Sequence, residues 1–213
     1  MHLQQQHIQP KTPAQDQLLR AIRSQALVVA TGPAGVGKTY IAVQSAMNLL
    51  AKGEVQRLVL TRSAQPTGRS IGFFPGDVSE KLAPWLSPMI SEIVRRVGRG
   101  NYEGLVKSGR IELLPLETVR GASYDSTIVL VDEAQNLFME EIKAITTRIG
   151  EGSRMVLMGD PMQRDQATND LTHFVEFLYR HSIDVGVVHF TVDDIVRSDI
   201  VAQLVRAFMK EAT

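Results

Sequence analysis

Along the chain, short runs of consecutive apolar residues alternate with longer stretches in which apolar positions recur every three or four residues. The runs are Leu27 to Thr31, Leu58 to Thr61, Ile111 to Leu114, Ile128 to Val131, Met155 to Met158 and Val185 to Phe190. Each is strand-sized and, apart from Glu112 and His189 and the terminal threonines, apolar rather than alternating, as in strands covered on both faces. Thr39 to Leu50 places Ile41, Val43, Ala46, Leu49 and Leu50 on a helical stripe that stops near Gly53. Near the C-terminus Ile200, Val201, Leu204, Val205 and Phe208 repeat that spacing, with Ser198 placed as N-cap and Asp199 in the first turn. Strand and helix in alternation predict an α/β fold, a mostly parallel sheet with helices on both faces. The stretch from Arg62 to Pro88 interrupts the rhythm with four of the nine prolines and the sequence GFFPGD from Gly72 to Asp77. A loop of that length inside a compact domain is usually functional.

Composition narrows the class. At 44% apolar and 22% charged, the 213 residues read as a folded domain rather than a disordered chain. Lys and Arg (23) balance Asp and Glu (23), which argues against a strongly basic nucleic-acid binder but leaves room for a local basic stripe. With no cysteine there is no disulfide scaffold, cysteine zinc site, iron–sulfur cluster or thiol nucleophile, in keeping with a cytoplasmic location. The opening MHLQQQHIQPK lacks the apolar stretch of a signal peptide, so residues 1–10 read as a flexible tail. No apolar run approaches a membrane span. Residues 1–213 read as one domain.

The sharpest motif is GPAGVGKT: Gly32, Pro33, Ala34, Gly35, Val36, Gly37, Lys38 and Thr39, followed by Tyr40. It satisfies G-x-x-x-x-G-K-[ST] between a strand run and a helical stretch, where glycines let successive N–H groups wrap a phosphate at a helix N-terminus. Lys38 then reaches the β and γ phosphates, and the Thr39 hydroxyl ligates Mg²⁺. A second apolar run ends in Asp132-Glu133, at the strand end that faces the ligand crevice of a parallel sheet. Asp132 there holds Mg²⁺ and Glu133 takes the proton from an attacking water. Guanine-specific N-K-x-D is absent, so ATP hydrolysis is the favoured chemistry. A third run ends in Gly159-Asp160-Pro161-Met162-Gln163, where the Gln163 amide suits a γ-phosphate sensor. On their own, Gly-Asp-Pro is also a turn and Asp-Glu also a solvated strand end.

These residues resemble the PhoH family of P-loop ATPases, whose core is similar to the first RecA-like domain of superfamily 1 helicases. The resemblance runs from about Lys11 to Lys210. It rests on KTPAQ (11–15), GPAGVGKTY (32–40), LTR (60–62), IGFFPGD with EK following (71–81), VDEAQN (131–136), LMGDPMQRD (157–165) and DIVRS (194–198). It implies a RecA-like P-loop NTPase fold, Mg²⁺-dependent ATP hydrolysis, and action on single-stranded RNA or DNA by a homo-oligomer, a hexameric ring above all. The PIN domain and RNA-binding extension of other members have no counterpart in these residues.

Further roles follow from the resemblance. Arg197 takes the place of an arginine finger, in its own subunit or a neighbour's. Gln15 is set either to read adenine or to complete a capping box with Thr12, with Pro13 at the first helical position. Arg62, Arg69 and Arg120 are candidates for backbone phosphates, and Phe73, Phe74 and Trp85 for stacking on unpaired bases. The family's patterns are altered at Arg62-Ser63, Arg120-Gly121-Ala122 and Ile195-Val196-Arg197-Ser198, which touches substrate contacts more than hydrolysis. Two function classes therefore stand: a nucleic-acid-stimulated ATPase motor, and a slow ATPase acting as a switch or assembly protein on a protein partner. Phosphoryl transfer to a small molecule would need a lid and an acceptor pocket that no motif supplies.

Overall fold

The computed structural model describes residues 3–63, 82–119, 121, 123–163, 169–197, 200 and 203–207. Helix α1 (Pro13–Ser24) starts at Thr12, whose hydroxyl accepts the Gln15 N–H at 3.3 Å, with proline in its first turn. Strand β1 (Leu27–Thr31) is buried along its whole length and leads through the glycine-rich loop into α2 (Lys38–Lys52). Helix α2 begins at Gly37 with no side-chain cap and ends at Gly53, whose left-handed φ of 74° turns its N–H back onto Leu49 and Leu50.

Strand β2 (Arg57–Arg62), helices α3 (Ser87–Val97) and α4 (Arg99–Lys107), strand β3 (Ile111–Leu113) and the short α5 (Leu116–Val119) follow. Then come β4 (Thr127–Asp132), a 3-10 turn over Ala134–Asn136, α6 (Met139–Thr146), β5 (Arg154–Gly159), α7 (Asp170–Arg180), β6 (Gly186–His189) and a 3-10 turn over Val192–Asp194.

The six strands form one sheet in the order β3-β2-β4-β5-β1-β6, every pairing parallel. Alternate residues of one strand enter opposite cores. Val28, Ala30, Leu58, Leu60, Ile128, Leu130, Val156 and Met158 face the core built with α1 to α4. Leu27, Val29, Val59, Val129, Val131, Met155 and Leu157 face the core that holds Ile142, Ile145, Leu171 and Phe174. In the four central strands β1, β2, β4 and β5 both faces are dry and no polar side is needed, which is why their runs are continuously apolar; Glu112 and His189 fall on the edge strands β3 and β6. The expected α/β, RecA-like arrangement is what the chain adopts.

Strand order was not legible in the runs. β5 lies between β1 and β4, with Thr31 level with Gly159 and Val131 level with Leu157. The carboxyl ends of the phosphate-loop strand and the Asp132-Glu133 strand are thus separated by the end of β5. β6 is an edge strand, paired to β1 alone and only half-buried, which accounts for its being shorter than the apolar run Val185 to Phe190.

Two expectations need correcting. The reading of residues 1–10 as a free tail does not hold for residues 3–10. Leu3 and Ile8 are buried in the core, Gln6 and Asn48 exchange two hydrogen bonds, and Arg96 donates to the Gln4 carbonyl at 2.8 Å. The segment is polar overall, but its two aliphatic side chains give it a burial gain of about 2 kcal/mol each. At the other end, Ile200 (60% exposed) and Leu204 (48% exposed) stand on the surface instead of packing inward. The cap position Ser198, with Asp199, Val201 and Phe208, lies outside the described residues. Among the described residues no helix is long and apolar enough to cross a membrane.

Candidate active site

The glycine-rich loop is shaped by three positive φ angles, at Gly32 (142°), Gly35 (87°) and Gly37 (87°). Gly32 is required for a second reason: a Cβ there would sit 2.4 Å from the Phe190 carbonyl oxygen. Hydrogen bonds hold the loop from every side. The Gly32 N–H donates to the Gly159 carbonyl at 3.1 Å, and the Val196 N–H to the Gly35 carbonyl at 3.2 Å. The Gln15 amide donates to the Val36 carbonyl at 2.9 Å. Val36 itself is fully buried and anchors the loop in the core. Without a side-chain cap on α2, the first-turn N–H groups are left for an anion, the arrangement that binds phosphate.

Lys38 arches back over the loop, its Nζ donating to the Gly32 and Pro33 carbonyls at 2.6 and 2.9 Å. Burial lowers its pKa, and Asp160, Asp132 and Glu133 oppose that shift. A cavity of about 610 Å³ opens in front of it. Its walls bring together Lys38, Thr39, Tyr40, Asp132, Glu133, Gln163 and Arg197, from loop, strand ends and the C-terminal segment. Arg197 reaches the loop of its own chain: a Cβ on Gly35 would lie 3.1 Å from its Cδ.

Burial raises the Asp132 carboxyl pKa, and the neighbouring Glu133 raises it further. Asp160 is raised by burial too, against hydrogen bonds from the Met162 and Ala34 N–H groups. Desolvated carboxylates that line one cavity with Thr39 offer oxygen donors suited to a hard cation. A divalent ion there would relieve the repulsion between Asp132 and Glu133. On that chemistry Thr39 and Asp132 fit Mg²⁺.

Glu133 leaves β4 with a left-handed φ of 53°. Arg62, level with Asp132 on the neighbouring strand, places a guanidinium nitrogen 3.6 Å from Glu133 Oε1. The other carboxylate oxygen, Oε2, accepts from the Gln135 amide. That glutamine, 1% exposed, also donates to the Gln163 carbonyl at 3.2 Å and accepts the Asp160 N–H at 3.0 Å. It ties the end of β4 to the end of β5.

The residues expected in the site are distributed as follows. Lys38, Thr39, Asp132, Glu133, Gln163, Arg197 and Tyr40 share the cavity together with Ala34, Gly35 and Gly37. Gly32 and Pro33 hold Lys38 through their carbonyls and line a second cavity of about 540 Å³, which shares Asp160 and Gln163 with the first. Gln15 lines neither of these cavities: it is 2% exposed, its amide oxygen accepting the Lys11 N–H at 2.8 Å. The capping box is therefore half-formed: Thr12 caps Gln15, but the Gln15 side chain spans from Lys11 to the phosphate loop. Arg62 pairs with Glu133 and carries its guanidinium over Trp85, 5.9 Å from the ring centre. Arg69, Phe73, Phe74 and Arg120 lie outside the described residues.

Sequence reasoning missed Asp160 and Gln135. Asp160 repeats the signal that marked Asp132, an acid at the end of an apolar run. Gln135 gave no signal, because its partners Asp160 and Gln163 lie 25 and 28 residues further on, just past a strand whose position beside β4 was not visible.

Residues 7–209 match the model of a protein family described as PhoH-like protein. A PhoH-like protein of Bacillus subtilis (strain 168) is 36% identical over 208 residues, covering 96% of this chain and 65% of that protein. Protein PhoH of Escherichia coli (strain K12) is 34% identical over 202 residues, covering 93% and 57%. The chain thus spans about six-tenths of the length of these relatives. Among solved structures, the large terminase of a thermophilic bacteriophage in complex with ADP superposes with a TM-score of 0.57 at 15% identity, over 92% of this chain and 49% of that one. That likeness is one of fold.

Proposed function

The chain belongs to the PhoH-like protein family, and on that premise we propose that it hydrolyses ATP with Mg²⁺ and couples the hydrolysis to a single strand of nucleic acid, RNA in preference to DNA. The observation that carries the hydrolytic part is the convergence of Lys38, Thr39, Asp132, Glu133, Gln163 and Arg197 on one cavity of about 610 Å³. Lys38 and the first-turn N–H groups of α2 receive the β and γ phosphates. Thr39 and Asp132 hold the metal, which when bound neutralises charge on the phosphate oxygens. Glu133 takes a proton from water as its oxygen attacks the γ phosphorus and the bond to the β-phosphate oxygen breaks, leaving ADP and phosphate. Gln163 donates to a γ oxygen, and Arg197, lying on its own loop, acts in its own subunit.

The nucleic-acid part draws on the Arg62–Trp85 pair, a guanidinium over an aromatic ring that is 42% exposed, the combination that takes a phosphodiester and stacks a base. Assembly into a ring of six is what the family resemblance implies; the exposed Ile200 and Leu204 near the C-terminus are an apolar pair that such an interface would cover.

The test is ATP turnover with and without single-stranded RNA and DNA, together with strand binding at rising salt. Stimulation by RNA above DNA, with binding that weakens steeply with salt through counterion release, supports the reading. Turnover untouched by either strand refutes the coupling. The even balance of 23 basic and 23 acidic residues favours one rival, an ATP-driven switch on a protein partner. That rival is distinguished by turnover that ignores strands and salt.

A further inference from the structure

The group assigned as general base is held on both oxygens. Gln135 donates to Glu133 Oε2, and Arg62 stands 3.6 Å from Oε1. Each oxygen keeps a second lone pair, but the two contacts together fix the direction of the carboxylate, and one of them must loosen before it can turn to meet an attacking water. The two contacts differ in what lies behind them. Gln135 is 1% exposed and fixed by Asp160 and the Gln163 carbonyl. Arg62 is partly exposed, with 27% of its side chain in solvent, and leads outward. Its Nη1 donates to the Trp85 carbonyl at 3.1 Å, and its guanidinium lies over the Trp85 ring. One arginine therefore touches both the catalytic carboxylate and an exposed aromatic platform.

We propose that Arg62 restrains Glu133 in the strand-free protein, and that a single-stranded nucleic acid releases it by stacking a base on Trp85 and drawing the Arg62 guanidinium onto a phosphodiester. The trigger rests on the function proposed above; the restraint does not. A phosphodiester competes well for a guanidinium, because its oxygens match the planar donor fork. A base on Trp85 displaces the guanidinium from the ring face at the same moment. Freed on one oxygen and still oriented by Gln135 on the other, Glu133 can accept the proton of the attacking water.

The test compares ATP turnover of the native chain, Arg62→Ala, Arg62→Lys and Trp85→Ala, each without a strand and with oligo-U or oligo-dT, after thermal melts establish that each is folded. A pair this exposed restrains weakly, so Arg62→Ala is expected to raise strand-free kcat by roughly 2- to 10-fold with the KM for ATP little changed. The same variant loses further stimulation by a strand. Arg62→Lys keeps a charge beside Glu133 without the planar face, and retains more of the restraint than alanine does. Trp85→Ala raises the strand concentration needed for half-maximal stimulation.

Strand-free kcat that falls or stays level in folded Arg62→Ala overturns the restraint, since Arg62 would then position the base for catalysis or not act on it. If Arg62→Ala speeds turnover while no strand stimulates the native chain, the restraint stands and the nucleic-acid reading is what fails. If a strand stimulates Arg62→Ala as much as the native chain, the trigger does not act through Arg62 and the proposal is overturned.

Discussion

Replacing Gln135 by methionine keeps the length and volume of the side chain and removes both of its hydrogen-bonding ends. Three contacts are lost: the Asp160 N–H at 3.0 Å, the Gln163 carbonyl at 3.2 Å and the Glu133 carboxylate. Two neutral hydrogen bonds contribute about 1 kcal/mol each, and one to a charged group about 1.5–3 kcal/mol. Because the three share one side chain they do not add fully, and the expected loss of stability is about 2–4 kcal/mol. For a chain of this size that lowers Tm by about 5–15 °C. The kinetic effect is more diagnostic. With Glu133 and the Gln163 loop no longer joined, a misplacement on the order of 1 Å costs about 100-fold in kcat. The KM for ATP should move little, since the phosphate loop keeps its bonds to Gln15, Gly159 and Val196. Urea melts and steady-state turnover over a range of ATP concentrations measure both. A variant that loses the stability but keeps native kcat would refute the reasoning and make Gln135 a packing residue only.

Gly32→Ala puts a Cβ 2.4 Å from the Phe190 carbonyl oxygen, against backbone that cannot yield, and should cost more than the usual ~1–3 kcal/mol of overpacking. Gly35→Ala meets only the flexible Arg197 side chain at 3.1 Å, so its Tm loss should be the smaller of the two; the reverse order in thermal melts would contradict the loop geometry. Asp132→Asn should stabilise the magnesium-free protein by on the order of 1 kcal/mol while abolishing turnover. The sign follows from burial: the folded chain holds the Asp132 proton more tightly than the unfolded chain, so this group subtracts stability as pH rises from the unfolded carboxylate value through the folded one. Melts in chelator should therefore show the native protein losing stability relative to Asp132→Asn across that rise, and no convergence at acid pH would count against it.

The sequence carried the parts of the site whose signals are local. Continuous apolar runs located the strands because both faces of the sheet are covered, and Gly53 marked the end of α2 because a left-handed cap needs it. Asp132-Glu133 and the Gly32–Thr39 loop were legible because their chemistry depends on neighbours in the chain. What stayed hidden depends on strand order. Nothing in the run Met155 to Met158 says that β5 lies between β1 and β4, and without that order neither the Gln135 bridge nor the Asp160 contact to Ala34 can be read. The Arg62–Glu133 pair needs the level register of β2 and β4. Leu3 and Ile8 were passed over because two aliphatic residues in a polar stretch make no periodic pattern, although tertiary contact buries both.

Glu133 as the base of an ATP-hydrolysing site is tested most directly by steady-state ATP turnover of Glu133→Gln, alongside titration with a fluorescent nucleotide. The amide keeps the size of the side chain and cannot take the proton, so turnover should fall by about 10²–10⁴-fold with nucleotide binding retained. Turnover within a few-fold of the native chain would contradict the assignment of the base.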